Sequence, residues 1–194
     1  KIGDPRQEGV TMGALASARQ LKDVRDQIGK LHKQARIVSG NPDHVFPGHE
    51  GGAFMEPILL RTDTPWTADA VHDVEAFGPV STIMPYKDMD DAIALANRGM
   101  GSLALSLFTF DANVAEDFVL GSGAYHGRMV ILDRTSAKES TGHGSPLPVL
   151  VHGGPGRAGG GEEMGGIRGV THYMQRTALQ GSPEVLSKVA HHWL

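Results

Sequence analysis

The chain contains no cysteine in its 194 residues. That excludes disulfides, thiolate metal sites and a thiol nucleophile within these residues. Charge of one sign is also scarce: 18 Lys and Arg stand against 22 Asp and Glu, for a formal charge of -4. With no basic block, the balance gives no support for a nucleic-acid surface or an anionic membrane as partner. No apolar run approaches the roughly 18 residues of a membrane span, and no signal-peptide pattern opens the chain. The expected setting is cytoplasmic. Aromatics are few, at 6%, whereas glycine is plentiful at 26 residues. The length suffices for one domain with a core. There is no initiator Met, and the opening Lys-Ile-Gly-Asp-Pro reads as mid-domain, so the chain is expected to be a fragment or a proteolytic product.

Periodicity orders the elements. Ser17 to Gln20 has capping-box spacing, and Leu21, Val24, Ile28 and Leu31 follow at helical intervals, predicting an amphipathic helix to about Gln34. Residues 35–39, 57–61 and 80–86 read as strands, with 41–54 as loop. Asp88 caps a helix through Asn97. The nearly unbroken apolar run Leu103–Phe110 suggests a strand covered on both faces, as in a parallel sheet. Asp111 starts another helix, and 127–133 is a further strand. Residues 163–172 read as a helix, 174–180 as a strand, and Ser182 caps a terminal helix. This alternation predicts an α/β fold with a helix-flanked, mainly parallel sheet.

Four groups of residues are candidates for chemistry. Residues 142–169 hold 11 of the 26 glycines. Bare glycines let backbone approach a ligand, but the run lacks the Lys-Ser/Thr ending of a phosphate loop. Pro146 and Pro148 interrupt the strand that a dinucleotide fingerprint needs. Glu162 and Glu163 would repel phosphate, so the run reads as a packed structural loop. Val74-Glu-Ala-Phe-Gly-Pro-Val80 places a Gly-Pro turn just before a strand and presents Glu75 and Phe77 from a rigid loop. A carboxylate can accept from vicinal ribose hydroxyls, and an aromatic ring can pack on a flat heterocycle. The commoner situation is an exposed Glu beside a core Phe. His143, His152, His172, His191 and His192 gather in the last third without the spacing of a metal motif, so no metal site is expected. His143 reads as a satisfied loop histidine. Serine hydrolase chemistry is rejected, because Ser145 lacks the strand–elbow–helix setting.

Several of these segments resemble the aldehyde dehydrogenase superfamily, along almost the whole chain. Gly3-Asp-Pro5 and Met12-Gly-Ala-Leu15 look like the family's GDP and MGPL passages, and VEAFGPV resembles its EIFGPV motif. Asp90–Asn97 with Gly101–Thr109 is similar to the segment that ends in VFT. The Gly-rich run departs from the usual wording: His152 stands where most members have Phe, and Glu162 where they have Arg. This departure is similar to the branch that handles CoA-linked semialdehydes in aromatic catabolism, and the Ser-Pro-Leu-Pro wording favours the phenylacetate route.

The resemblance implies a partial catalytic domain over 1–172, an oligomerisation strand over 173–181 and a C-terminal helix over 182–194. It implies oxidation of a CoA-linked semialdehyde to the acid with NADP or NAD, in a homo-oligomer, with the nucleophilic Cys and the general-base Glu upstream of Lys1. Carried over by motif, Glu75 would hold the nicotinamide-ribose hydroxyls and Phe77 would pack by the nicotinamide. His152 would stand near the mouth of the substrate tunnel. No catalytic residue falls in this chain, which alone is expected to be inactive. Two other classes compete: a non-catalytic oligomerisation or interaction module, and a nucleotide- or CoA-binding domain centred on the Gly-rich run. Neither accounts for matches in six separated segments.

Overall fold

The computed structural model describes residues 1–140, 142–143, 154–158, 170 and 173–193. The chain divides into two compact units, Lys1–Pro85 and Tyr86–Leu194. The last strand and helix belong to the second unit.

In the first unit, helix α1 spans Ala18–Leu31. Ser17 Oγ accepts from the Gln20 amide at 3.1 Å, satisfying one of the four amides that a helix start leaves unpaired. The buried stripe Val24, Ile28 and Leu31 follows the helical period. It packs with Met55, Ile58 and Leu60 to form the core. Strands β1 (Arg36–Ser39), β2 (Ile58–Arg61) and β3 (Val80–Ile83) form one sheet in that order. β1 pairs antiparallel to β2, with a register shift between Ile37 and Ser39. β2 and β3 run parallel. The short helix α2, Ala70–Asp73, crosses between them.

In the second unit, α3 (Met89–Asn97) is capped by Asp88 and α4 (Ala112–Ser122) by Asp111. Strands β4 (Ser102–Phe108), β5 (His126–Leu132) and β6 (Ala178–Gln180) form an all-parallel sheet in that order. Met129 and Ile131 of β5 pack on Ala115, Phe118 and Val119 of α4 and on Val185 of α5, which spans Pro183–Ala190. The centre strand is thus the buried one, and its apolar run Met129–Leu132 fits a strand covered on both faces.

Three expectations change. The run 103–110 does not lie between two covered faces among the described residues: β4 is one edge of its three-stranded sheet, and Leu103 and Phe108 are exposed. Its apolar side chains announced a strand but not its position in the sheet. The strand expected over 174–180 is confined to 178–180, where it pairs with β5 of the same chain. The terminal helix stops at Ala190, where His191 takes a left-handed conformation, φ 55°. The helix expected over 163–172 lies, apart from residue 170, outside the described residues.

Candidate functional site

The segment leading into β3 is extended and alternates. Val74 and Ala76 turn inward against the core of the first unit. A period of two then turns Glu75 and Phe77 outward together. Phe77 is 75% exposed, and Glu75 makes no hydrogen bond among the described residues. An exposed aromatic ring beside a free carboxylate is not what core packing would select. The commoner expectation of a core Phe is therefore wrong here, because Val74 and Ala76 supply the inward face.

Helix α1 fixes this turn from below. Gln20 Nε2 donates to the Phe77 carbonyl at 2.7 Å, and Gln20 Oε1 accepts from the Ala16 amide at 3.0 Å. One side chain therefore ties the helix start to the turn. Gly78 lies directly on Val24: a Cβ built there would stand 2.8 Å from Val24 Cγ2. On the far side the Ile58 amide donates to the Pro79 carbonyl at 2.8 Å, so β2 grips the turn as β3 begins. Gln34, beyond the other end of α1, accepts from the Ala70 amide at 2.7 Å and holds the start of α2. Buried His72 bonds through Nε2 to the Pro65 carbonyl at 2.8 Å. Glu75 and Phe77 thus sit on backbone pinned from three directions. Residue spacing gave no sign of Gln34 or His72. Gln20 was visible only as the second residue of a capping box, whose reciprocal bond goes to Ala16 rather than to Ser17.

Elsewhere the candidates fare differently. His143 Nε2 lies 3.1 Å from both the Ser106 Oγ and the Leu105 carbonyl, the setting of a loop histidine held against β4. His152 lies outside the described residues, as does most of the Gly-rich run. The described piece, 154–158, packs on the turn at Met100: a Cβ on Gly156, whose φ is +52°, would stand 1.8 Å from the Met100 carbonyl oxygen. Glycine is required there by backbone contact, in keeping with a structural loop. Lys188 Nζ and His191 Nε2 each lie 3.1 Å from the Glu116 carboxylate, which joins the C-terminal helix to α4. Among the described residues no three His, Asp or Glu side chains are placed to hold a metal ion, and no helix is long and apolar enough to cross a membrane.

Two carboxylates anchor loops. Asp4, in the Gly-Asp-Pro passage, is held down at about 2 by the Arg6 side chain and by the Arg6 amide. Asp133, just past β5, accepts from the Thr135 hydroxyl at 2.6 Å and from the Thr135 and Ser136 amides at 2.7 and 3.0 Å. Ser182 donates to its other oxygen at 2.9 Å. These hydrogen bonds, led by that of the Thr135 side chain, push its pKa well below the usual carboxylate range. Asp133 thereby ties the loop after β5 to the start of α5.

These features define an α/β protein with parallel strands and a rigid carboxylate–aromatic turn at the start of one of them. Residues 1–179 match the model of the aldehyde dehydrogenase family, and the chain belongs to that family. It is 51% identical over 188 residues to Protein MaoC of Klebsiella aerogenes, covering 94% of this chain and 54% of that protein. It is 41% identical over 158 residues to the 3,4-dehydroadipyl-CoA semialdehyde dehydrogenase of Aromatoleum evansii, covering 80% of this chain and 31% of that protein. The chain therefore spans about half the length of one curated relative and a third of the other. Among solved structures, a variant of aldehyde dehydrogenase C of Pseudomonas syringae, complexed with NAD+ and octanal, superposes with a TM-score of 0.64 at 26% identity, over 89% of this chain and 32% of that one. The Mycobacterium tuberculosis aldehyde dehydrogenase complexed with NAD+ gives 0.57 at 31% identity, over 67% and 26%.

Proposed function

We propose that this chain forms part of an NAD(P)-dependent aldehyde dehydrogenase that oxidises a CoA-linked semialdehyde to the acid in phenylacetate catabolism. The observation that carries this reading is the turn at Glu75 and Phe77. A carboxylate with no hydrogen-bond partner among the described residues and a largely exposed ring project the same way from pinned backbone. That pair fits a dinucleotide: the carboxylate accepts from two vicinal ribose hydroxyls, and the ring packs on the flat nicotinamide. The bound nicotinamide supplies the acceptor for the hydride that leaves the aldehyde carbon. In this chain Glu75 orients the ribose, Phe77 limits sliding of the ring, and Gln20 and Val24 keep both in place.

The relationship to a named CoA-semialdehyde dehydrogenase supports the substrate class. His152 is assigned to the mouth of the substrate tunnel by its place in the family motif. The segment 173–181 is assigned to subunit pairing in a homo-oligomer, with β6 offering the edge that β5 does not occupy.

Glu75→Gln in the whole enzyme tests the site. It keeps the shape and removes the charge, so kcat for hydride transfer should fall by the equivalent of about 1–3 kcal/mol, the cost of a charged hydrogen bond. Unchanged kinetics would sink the role of Glu75. A preparation shown by mass to contain only these 194 residues should not oxidise aldehydes, because it has no thiol. Turnover from such a preparation would overturn the reaction assigned.

A further inference from the structure

The second unit carries a hollow of about 310 Å³ that the nicotinamide turn does not use. Phe108, Thr109, Phe110, Leu132, Asp133 and Arg134 line it. Phe108 ends β4 and Leu132 ends β5, so the hollow opens at the carboxyl ends of two adjacent parallel strands. In open α/β sheets that is the end at which ligands bind.

Its chemistry is specific. The Arg134 guanidinium carbon stands 3.9 Å from the centre of the Phe110 ring, and no carboxylate pairs with Arg134 among the described residues. Asp133 lies next to it in sequence but is occupied by the donors of Thr135, Ser136 and Ser182. The Asp111 carboxylate, past Phe110, is occupied in capping α4 through the Asn113 and Val114 amides. Phe108 is 74% exposed and Phe110 53%. Apolar ring surface is thus left in water beside a planar cation whose fork suits phosphate oxygens. The Asp133 clamp holds the loop that carries this cation.

We propose that this hollow binds the phosphorylated adenosine end of a CoA thioester, with the base against Phe108 and a phosphate on Arg134. The proposal deepens the function given above and rests on its CoA-linked substrate. The probe is adenosine 3′,5′-bisphosphate, titrated calorimetrically into the 194-residue chain. Saturable binding is expected, weakened at least tenfold by Arg134→Gln, partly recovered in Arg134→Lys, and weakened several-fold by Phe108→Ala. Unchanged thermal midpoints for the variants would show that the fold persists. Adenosine 2′,5′-bisphosphate, the isomer found in a phosphorylated nicotinamide cofactor, should bind more weakly. No binding to the parent chain, no effect of Arg134→Gln, or an equal or reversed isomer preference overturns the proposal. None of these measurements needs the thiol or the nicotinamide, so they can fail while CoA-semialdehyde oxidation by the whole enzyme stands. Equal use of free and CoA-linked semialdehydes by that enzyme would instead refute the substrate class.

Discussion

Gly78→Ala tests whether the turn that carries Glu75 and Phe77 is held by packing against α1. The new Cβ would stand 2.8 Å from Val24 Cγ2 and 3.1 Å from Cγ1. Real Cβ atoms do not approach so closely, so one partner has to move. Val24 has little freedom to do so. It is 1% exposed, sits in a helix and packs with Ile28, Met55 and Leu60, and a β-branched residue in a helix has one strongly preferred rotamer. Gly78 is not in the left-handed region, so alanine meets no backbone strain and the cost is steric. Overpacking of this kind costs about 1–3 kcal/mol. The smaller entropy of the unfolded alanine chain offsets about 0.4–1 kcal/mol of it. A net loss of about 1–2 kcal/mol lowers the midpoint of a unit this size by about 4–15 °C. Trp66 reports on this unit once Trp193 is replaced by Phe. The decisive arm is the double variant: in a Val24→Ala background the clash partner is gone, and Gly78→Ala should cost almost nothing. A full cost in both backgrounds, or no shift in either, would refute the packing argument.

Much of the fold was legible because side-chain chemistry marks helix starts. Ser17, Asp88, Asp111 and Ser182 all cap helices as their spacing suggested, since a side-chain oxygen at that place satisfies an otherwise unpaired amide. Strand identity was legible too, but strand neighbourhood was not. Leu103–Phe108 and Met129–Leu132 are both largely apolar, yet only the second is mostly buried. Apolar content records that a strand has something to cover it, not which atoms do so within these residues. The division at Pro85 left no composition shift to read. At the site, Glu75 and Phe77 were found through a Gly-Pro turn and a motif. Their support came from Gln20 and Gln34, 57 and 36 residues away from their partners Phe77 and Ala70, and glutamines at such separations carry no local signal. Asp133 reads as an ordinary end to a strand, and its role depends on Ser182, which only the fold brings near.

Three further perturbations probe these supports. Gln20→Ala removes the bonds to Phe77 and Ala16; each exposed bond contributes about 0.5–1.5 kcal/mol, so the amides of Gly78 and Val80 should exchange with solvent faster while α2 is unaffected. Equal exchange would mean that Val24 alone holds the turn. Ser182→Ala removes the donor to Asp133 and the cap of α5, and should lower the second unit's stability by about 1–2 kcal/mol; Ser182→Asp, which can cap but sets a second carboxylate against Asp133, should not restore it. The last concerns pH. His126 is buried, with Nδ1 2.6 Å from the Ser102 hydroxyl and Nε2 without a partner among the described residues. Burial lowers its pKa, because a charged ring there has little to solvate it. The folded state therefore binds this proton less readily than the unfolded chain. Its stabilising effect is complete above the unfolded value of about 6.5 and is lost as pH falls from there toward the folded value. Asp133 adds a second loss in the same direction but lower, beginning near its unfolded value of about 3.9. Unfolding of the second unit, followed through Trp193 in a Trp66→Phe background, should thus show a first loss of stability as pH falls below about 6.5 and a second below about 3.9. His126→Gln should abolish that first step and keep the second. If the slope between those pH values survives the substitution, the proton is being taken up elsewhere and burial of His126 is not the cause.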